Sequence, residues 1–143
     1  MEKGASWAVI DDPHFETKKT ILVDDCLNEL QVLAVHHRKE LNVPVIAITG
    51  TNGKTTTKEL LTAILTKKFK THSTPGNLNN QIGVPLTILS APAGTEMMII
   101  EMGANHIGEI RSLCYIARPD YGIITNIGTA HIEGFGSKEG VIK

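Results

Sequence analysis

Val43–Thr56, VPVIAITGTNGKTT, passes from an almost unbroken apolar run into a glycine-rich turn and then into threonines. An apolar run without alternation suits a strand buried on both faces of a parallel sheet. Beyond the turn, Leu60, Leu61, Ile64, Leu65 and Phe69 recur at helical spacing and predict an amphipathic helix through Phe69. Lys67, Lys68 and Lys70 follow at its C-terminal end, where the helix dipole favours cations. Strand, glycine turn and helix are the setting of a phosphate-binding loop. Glycines let several backbone N–H groups face one anion, and the helix N-terminus adds more. Gly50, Thr51, Asn52, Gly53, Lys54, Thr55 and Thr56 are therefore the nucleotide-binding candidates. Lys54 would reach the β and γ phosphates, and the Thr55 hydroxyl would ligate Mg2+. The loop opens at Gly50, and Ile48 stands where the longer general pattern has glycine.

Upstream, Ala5–Asp11 and Lys19–Val23 read as strands separated by an Asp12-Pro13 turn. Asp24 and Asp25 start a helix that places Leu27, Leu30, Leu33, Ala34, His37 and Leu41 on one side, and Asn42–Pro44 interrupts it. This ββα piece, residues 1–42, is too small for a core of its own. Downstream, Thr71–Gln81 reads as a polar loop, and Gly83–Leu89 as either a strand or a short helix, Pro85 favouring a first helical turn. Met97–Glu101 reads as a buried strand, Ile107–Ala117 as a helix and Tyr121–Ile127 as a strand, with another helix beginning at Lys138. The expected fold is α/β, a mostly parallel sheet flanked by helices over residues 43–143, preceded by the ββα piece.

The chain has 143 residues and a formal net charge of -1, which argues against a nucleic-acid surface. No apolar run approaches the ~20 residues needed to span a bilayer, and Glu2 and Lys3 open a mixed segment unlike a secretory leader. Cys26 and Cys114 lie far apart in apolar helical contexts, which predicts buried free thiols in a reducing cytosol.

Three further features point to the end of the sheet where the glycine turn lies. Glu101 closes an apolar strand at its C-terminal end, the side on which open α/β sheets bind ligands. It either holds Mg2+ near Thr55 or stands as a solvated carboxylate. His131 follows the next strand in NIGTAH and is either a metal or phosphate ligand or a surface histidine. Asn77, Asn79 and Asn80, beside Gln81, bring more amides than one turn requires and suit contact with a sugar, peptide or phosphate. His36 and His37 face different directions on one helix, and His106 with Glu109 suits pairing or capping as well as chemistry.

Together GTNGKTT (Gly50–Thr56), NLNNQIGVP (Asn77–Pro85), EMGANHIGEI (Glu101–Ile110) and NIGTAHIEGFGS (Asn126–Ser137) resemble the peptidoglycan Mur ligase family over nearly the whole chain. The resemblance implies that residues 1–42 end an N-terminal domain that binds a UDP-sugar, and that residues 43–143 begin the central ATP-binding domain. It implies ATP and Mg2+, with UDP-MurNAc-tripeptide and D-Ala-D-Ala as small-molecule substrates joined through an acyl phosphate in the cytoplasm. Lys54 would hold the phosphates, Thr55 and Glu101 one Mg2+, and His131 a second. Asn77, Asn79 and Asn80 would line the approach of the UDP-sugar peptide. The family's carbamoylated lysine is expected two residues past Lys143, and the segments that hold the amine and close over ATP lie further on. The chain by itself is therefore expected to be inactive as a ligase. The rival readings are a folylpolyglutamate-type or other Mur-type ligase, a P-loop ATPase or kinase, and a nucleotide-binding piece without catalysis.

Overall fold

The computed structural model describes residues 4–128, 136–137 and 140. Two short strands, β1 (Ala8–Ile10) and β2 (Thr20–Leu22), pair in parallel. A 3-10 turn at Pro13–Phe15 lies between them, capped by Asp12, whose carboxylate accepts from the His14 N–H. Val9, Ile21 and Leu22 stay largely exposed, so this ribbon has no core of its own. Helix α1 (Cys26–Leu41) starts where Asp25 accepts from the Asn28 N–H. It ends at Asn42, which adopts the left-handed conformation one residue before Val43-Pro44.

The remaining elements alternate: β3 (Val45–Thr49), α2 (Lys54–Leu65), β4 (Thr71–Ser73), α3 (Gly83–Leu89), β5 (Met97–Glu101), α4 (Glu109–Ala117) and β6 (Tyr121–Ile124). The four strands form one parallel sheet in the order β4-β5-β3-β6. Side chains alternate across it. Val45, Ala47, Met98, Ile100 and Met102 join Val84 and Ile88 of α3 and Leu113, Ile116 and Ala117 of α4 in one core. Ile48, Ile99 and Glu101 turn to the opposite face, against which α2 packs. Because every strand runs the same way, the segments after β3, β4, β5 and β6 gather at one end.

α1 belongs to this body. It packs on α3 and α4, and its Ala34 is wholly buried in the same core. Arg38, one helical turn on, is 7% exposed. Its Nε donates to the Ala117 carbonyl at 2.9 Å, and its terminal nitrogen reaches the Arg118 carbonyl at 3.2 Å and Asp120 at 3.3 Å. Asp120 also accepts from the Val45 N–H at 2.8 Å. The guanidinium thus satisfies carbonyls at the end of α4, where no helical partner exists, and fastens α1 to the entries of β3 and β6.

Several local expectations are corrected. Thr71–Ser73, read as loop, is a strand, paired with Met97–Ile99; at three residues it is short, polar and at the sheet edge, which erases the apolar signature of a strand. α2 stops at Leu65, not Phe69. Leu60 and Ile64 are 63% and 66% exposed, and the buried position on α2 is Lys58. α4 starts at Glu109 rather than Ile107. On α1, Leu33 is exposed and Arg38 is buried in its stead. Gly83–Leu89 is helical, the open alternative resolved. Cys26 and Cys114 are free but half-buried.

Replacing Arg38 by Met keeps the apolar stem and removes the donors. In the full-length protein Arg38→Met is expected to lower unfolding free energy by about 2–3 kcal/mol, since buried carbonyls lose charge-assisted hydrogen bonds. Urea denaturation measures this; a change below about 0.5 kcal/mol would show that the clamp does not hold α1 to the sheet.

Candidate functional site

The chain leaves β3 through Gly50, whose φ of 133° suits glycine. The segment after β6 lies against it: a Cβ at Gly50 would strike Thr125 Oγ1 and come within 3.0 Å of the Asn126 backbone. This closeness permits a dense set of hydrogen bonds. The Thr51 N–H donates to the Asn126 carbonyl and the Asn52 N–H to Asn126 Oδ1, both at 3.1 Å. Asn126 Nδ2 and Thr125 Oγ1 both donate to the Asn52 carbonyl, at 3.1 and 2.6 Å. The Gly128 N–H donates to Thr51 Oγ1 at 2.8 Å.

Thr51 and Asn52, expected among the nucleotide-binding residues, therefore spend their backbone N–H groups on Asn126 and shape the loop. The donors left for an anion are those at the start of α2, where Lys54, Thr55 and Thr56 have no helical acceptor. The Lys54 ammonium donates to the Gly50 carbonyl at 2.6 Å and the Thr51 carbonyl at 3.3 Å, so it is held over the loop. Thr55 and Thr56 are exposed in the first turn of α2.

Glu101 stands across the strand pair, its Cα registered with Ile48 of β3. It is 1% exposed. Its backbone N–H donates to Thr74 Oγ1 at 2.9 Å, and its Oε1 accepts from Asn79 Nδ2 at 2.8 Å. Its Oε2 is buried and has no hydrogen-bond partner among the described residues. A buried carboxylate oxygen without a donor is costly, and a cation is one way to satisfy it.

Lys58, one turn beyond Lys54 in α2, is fully buried. Its ammonium donates to the Thr74 carbonyl at 2.7 Å and the Gly76 carbonyl at 3.0 Å. The neighbouring Glu59 carboxylate, also at 3.0 Å, is largely solvent-exposed and adds little. Lys58 thus ties the loop after β4 to the helix that the glycine turn launches. The sequence reading missed it, although the helical period running back from Leu65 through Leu61 passes through Lys58.

The three asparagines have separate fates. Asn77 is exposed. Asn79 is bonded to Glu101 as described. Asn80 Oδ1 accepts from the N–H groups of Ile82 and Gly83, at 3.1 and 2.9 Å, and so caps α3. Asn79 and Asn80 also line a cleft of about 430 Å³ with Lys54, Gly103, Asn105 and Glu109. Glu109 accepts from the N–H groups of Asn105 and His106 at 2.7 and 3.1 Å. The Asn105 N–H, foremost, holds its carboxyl below the ordinary carboxylate value. His106 Nδ1 lies 3.4 Å from Glu109 Oε1 as well, so the two pair and Glu109 braces the turn that precedes α4, pairing being one of the roles the sequence left open. His131 and Lys143 lie outside the described residues. Among the described residues, no three His, Cys, Asp or Glu side chains cluster as a metal site, so an ion beside Glu101 would depend mainly on hydroxyl, phosphate and water oxygens, as Mg2+ does. Among the same residues no helix is long and apolar enough to cross a membrane.

The sequence from residue 48 to 143 matches the family described as the Mur ligase middle domain. The UDP-N-acetylmuramoyl-tripeptide–D-alanyl-D-alanine ligase of Bacillus subtilis is 48% identical over 126 residues, covering 88% of this chain and 28% of that protein. The ligase of the same name from Escherichia coli is 39% identical over 140 residues, covering 98% of this chain and 31% of its own. Among solved structures, the MurF ligase of Thermotoga maritima in complex with ADP superposes with a TM-score of 0.91 at 36% identity, covering 99% of this chain and 33% of that one. The chain thus spans under a third of the length of these two curated relatives.

In the full-length protein Gly50→Ala is expected to destabilise by about 1–3 kcal/mol, from a disfavoured φ and a Cβ with no space beside Thr125. It should also abolish nucleotide binding as the Thr51–Asn126 contacts open. Thermal melting and nucleotide titration check this; an alanine variant with unchanged melting and binding would contradict the close approach.

Proposed function

The chain belongs to the Mur ligase family, and on that premise we propose that it holds the phosphates of ATP in a ligase joining D-Ala-D-Ala to UDP-MurNAc-tripeptide during peptidoglycan precursor synthesis. One observation carries the reading. The glycine turn with Lys54 and the buried Glu101, whose Oε2 has no partner among the described residues, sit at the ends of adjacent parallel strands. The ADP complex of the Thermotoga maritima relative supports the nucleotide. The two free thiols fit a cytoplasmic setting.

The overall reaction is amide formation from a carboxylate, which is unreactive toward amines until one oxygen becomes a leaving group. ATP transfers its γ-phosphoryl group to the terminal carboxylate of the tripeptide, releasing ADP. The amine of D-Ala-D-Ala then attacks the acyl carbon, phosphate leaves, and the amine gives up a proton. The protein's part is positioning and charge stabilisation. Lys54 turns its ammonium from the Gly50 and Thr51 carbonyls to the β and γ phosphates. The N–H groups at the start of α2 hold the same phosphates. Glu101 and the Thr55 hydroxyl would hold Mg2+, which supplies positive charge beside the transferring phosphoryl group. The donor set fits: one buried carboxylate oxygen lacks a partner among the described residues, and among the same residues no cluster of His, Cys, Asp or Glu offers a different kind of metal site. By family resemblance His131 would hold a second cation. The cleft lined by Lys54, Asn79 and Asn80 would adjoin phosphates held by Lys54 and suits the approach of the UDP-sugar peptide; Asn77, exposed on the same loop, is not part of its lining.

Lys54→Ala in the full-length enzyme is expected to lower the rate of ADP release by on the order of 100-fold or more, as loss of one oriented charge on the transferring group does. Its side chain is only part-buried and outside the core, so the fold should persist. Near-normal turnover by the folded variant would reject the role of Lys54.

A further inference from the structure

We propose that Asn79 is a positioning residue that orients Glu101 for a divalent cation, an inference that rests on the reading of Glu101 as a metal ligand. The sequence suggested that Asn79 touches substrate. Its side chain instead has a partner in the protein: Nδ2 donates to Glu101 Oε1 at 2.8 Å. A carboxylate only accepts, so the nitrogen of the amide must face it.

The chemistry of this pair suits a metal site better than a lysine or arginine would. A cationic neighbour would neutralise Glu101 and compete with any ion. A neutral amide fixes one oxygen and leaves the full negative charge in place. The second oxygen, Oε2, is buried and unpartnered among the described residues, so the carboxylate is held with one oxygen still to be satisfied. Partners behind ligating carboxylates act in this way and commonly set metal affinity.

Asn79 is itself held in place. Its N–H donates to the Asn77 carbonyl at 2.7 Å, and its own carbonyl accepts from the Gly103 N–H at 2.8 Å. Gly103, two residues past Glu101, lies against the amide: a Cβ there would meet Asn79 Oδ1 at 2.8 Å. The absence of a side chain at Gly103 therefore leaves room for the Asn79 amide to reach Glu101. On the far side, Lys58 anchors the start of the same loop through Thr74 and Gly76.

The test uses the full-length protein with ADP and Mn2+ as the probe ion, bound Mn2+ being read by electron paramagnetic resonance. Glu101→Gln tests the metal reading itself and should abolish the bound-Mn2+ signal. Asn79→Leu keeps size and removes the donor. Gly103→Ala leaves both partners intact and pushes the amide aside, which keeps the question answerable if Asn79→Leu fails to fold. Both should weaken Mn2+ binding by about 10- to 100-fold, with ADP binding in the absence of metal unchanged. Wild-type Mn2+ affinity in folded Asn79→Leu or in Gly103→Ala, beside loss in Glu101→Gln, would overturn the inference and leave the metal reading standing. A proportionate loss of metal-free ADP binding would also overturn it, showing general damage to the loop. Wild-type binding by Glu101→Gln would overturn the metal reading and this inference together.

Discussion

The backbone leaving β3 and the backbone leaving β6 approach so closely that residue 50 has no room for a Cβ, and the site is organised by that approach. Parallel pairing of β3 with β6, Thr49 opposite Ile124, brings Thr125 and Asn126 alongside Gly50. Asn126 then acts on the glycine turn as a side chain acts in an Asx turn, with its amide and its carbonyl all engaged by Thr51 and Asn52. Those bonds hold the turn in a shape that delivers the chain to the first residue of α2 with its N–H groups free. The shape of the glycine turn, the proposed anion site, is therefore set by long-range contact between segments more than seventy residues apart, as the separation of 74 between Asn52 and Asn126 shows. Glycine content alone would leave the turn with many conformations, at an entropic disadvantage of about 1–2 kcal/mol per residue to be fixed.

On the other side of β3, the segment after β4 is organised by buried polar groups. Lys58, Thr74 and Glu101 are each at most 1% exposed. Burying an ammonium or a carboxylate is unfavourable by several kcal/mol unless hydrogen bonds and charges compensate. The Lys58 ammonium has two carbonyls and Glu101 has Thr74 and Asn79, yet among the described residues one Glu101 oxygen has no partner. Among the described residues Glu101 Oε2 is thus a buried side-chain acceptor left without a donor, an imbalance that a bound cation would relieve. Natural folds retain such imbalance mainly where function needs it.

Much of the sheet was legible because its strands are apolar on both faces. β3, β5 and β6 stand out as VIAIT, MMIIE and YGII. β4 did not, because THS at a sheet edge has no hydrophobic signature and owes its extension to pairing with Met97–Ile99. The glycine turn and Glu101 were visible as local patterns tied to strand ends. The partners that make them a site were not. Lys58 and Arg38 have the composition of surface helix residues, and only the carbonyls they meet, at Thr74 and Ala117, draw them inside. The amide-rich loop was recognised as unusual, but its division of labour rests on contacts across the fold: Asn79 with Glu101, Asn80 with the start of α3. The exposure of Leu60 and Ile64 was likewise unreadable, since helical spacing shows that a stripe exists and not how wide a surface it meets.

The central claim is that nucleotide affinity arises from the phosphates, gripped by Lys54 and the start of α2 with a cation at Glu101. Titration calorimetry on the full-length protein tests it most directly, comparing ATP, inorganic triphosphate and adenosine with and without Mg2+. The account predicts that triphosphate competes with ATP and retains most of its binding free energy, that Mg2+ strengthens both, and that adenosine binds weakly. Tight binding of adenosine with no measurable binding of triphosphate, in the presence or absence of Mg2+, would contradict it.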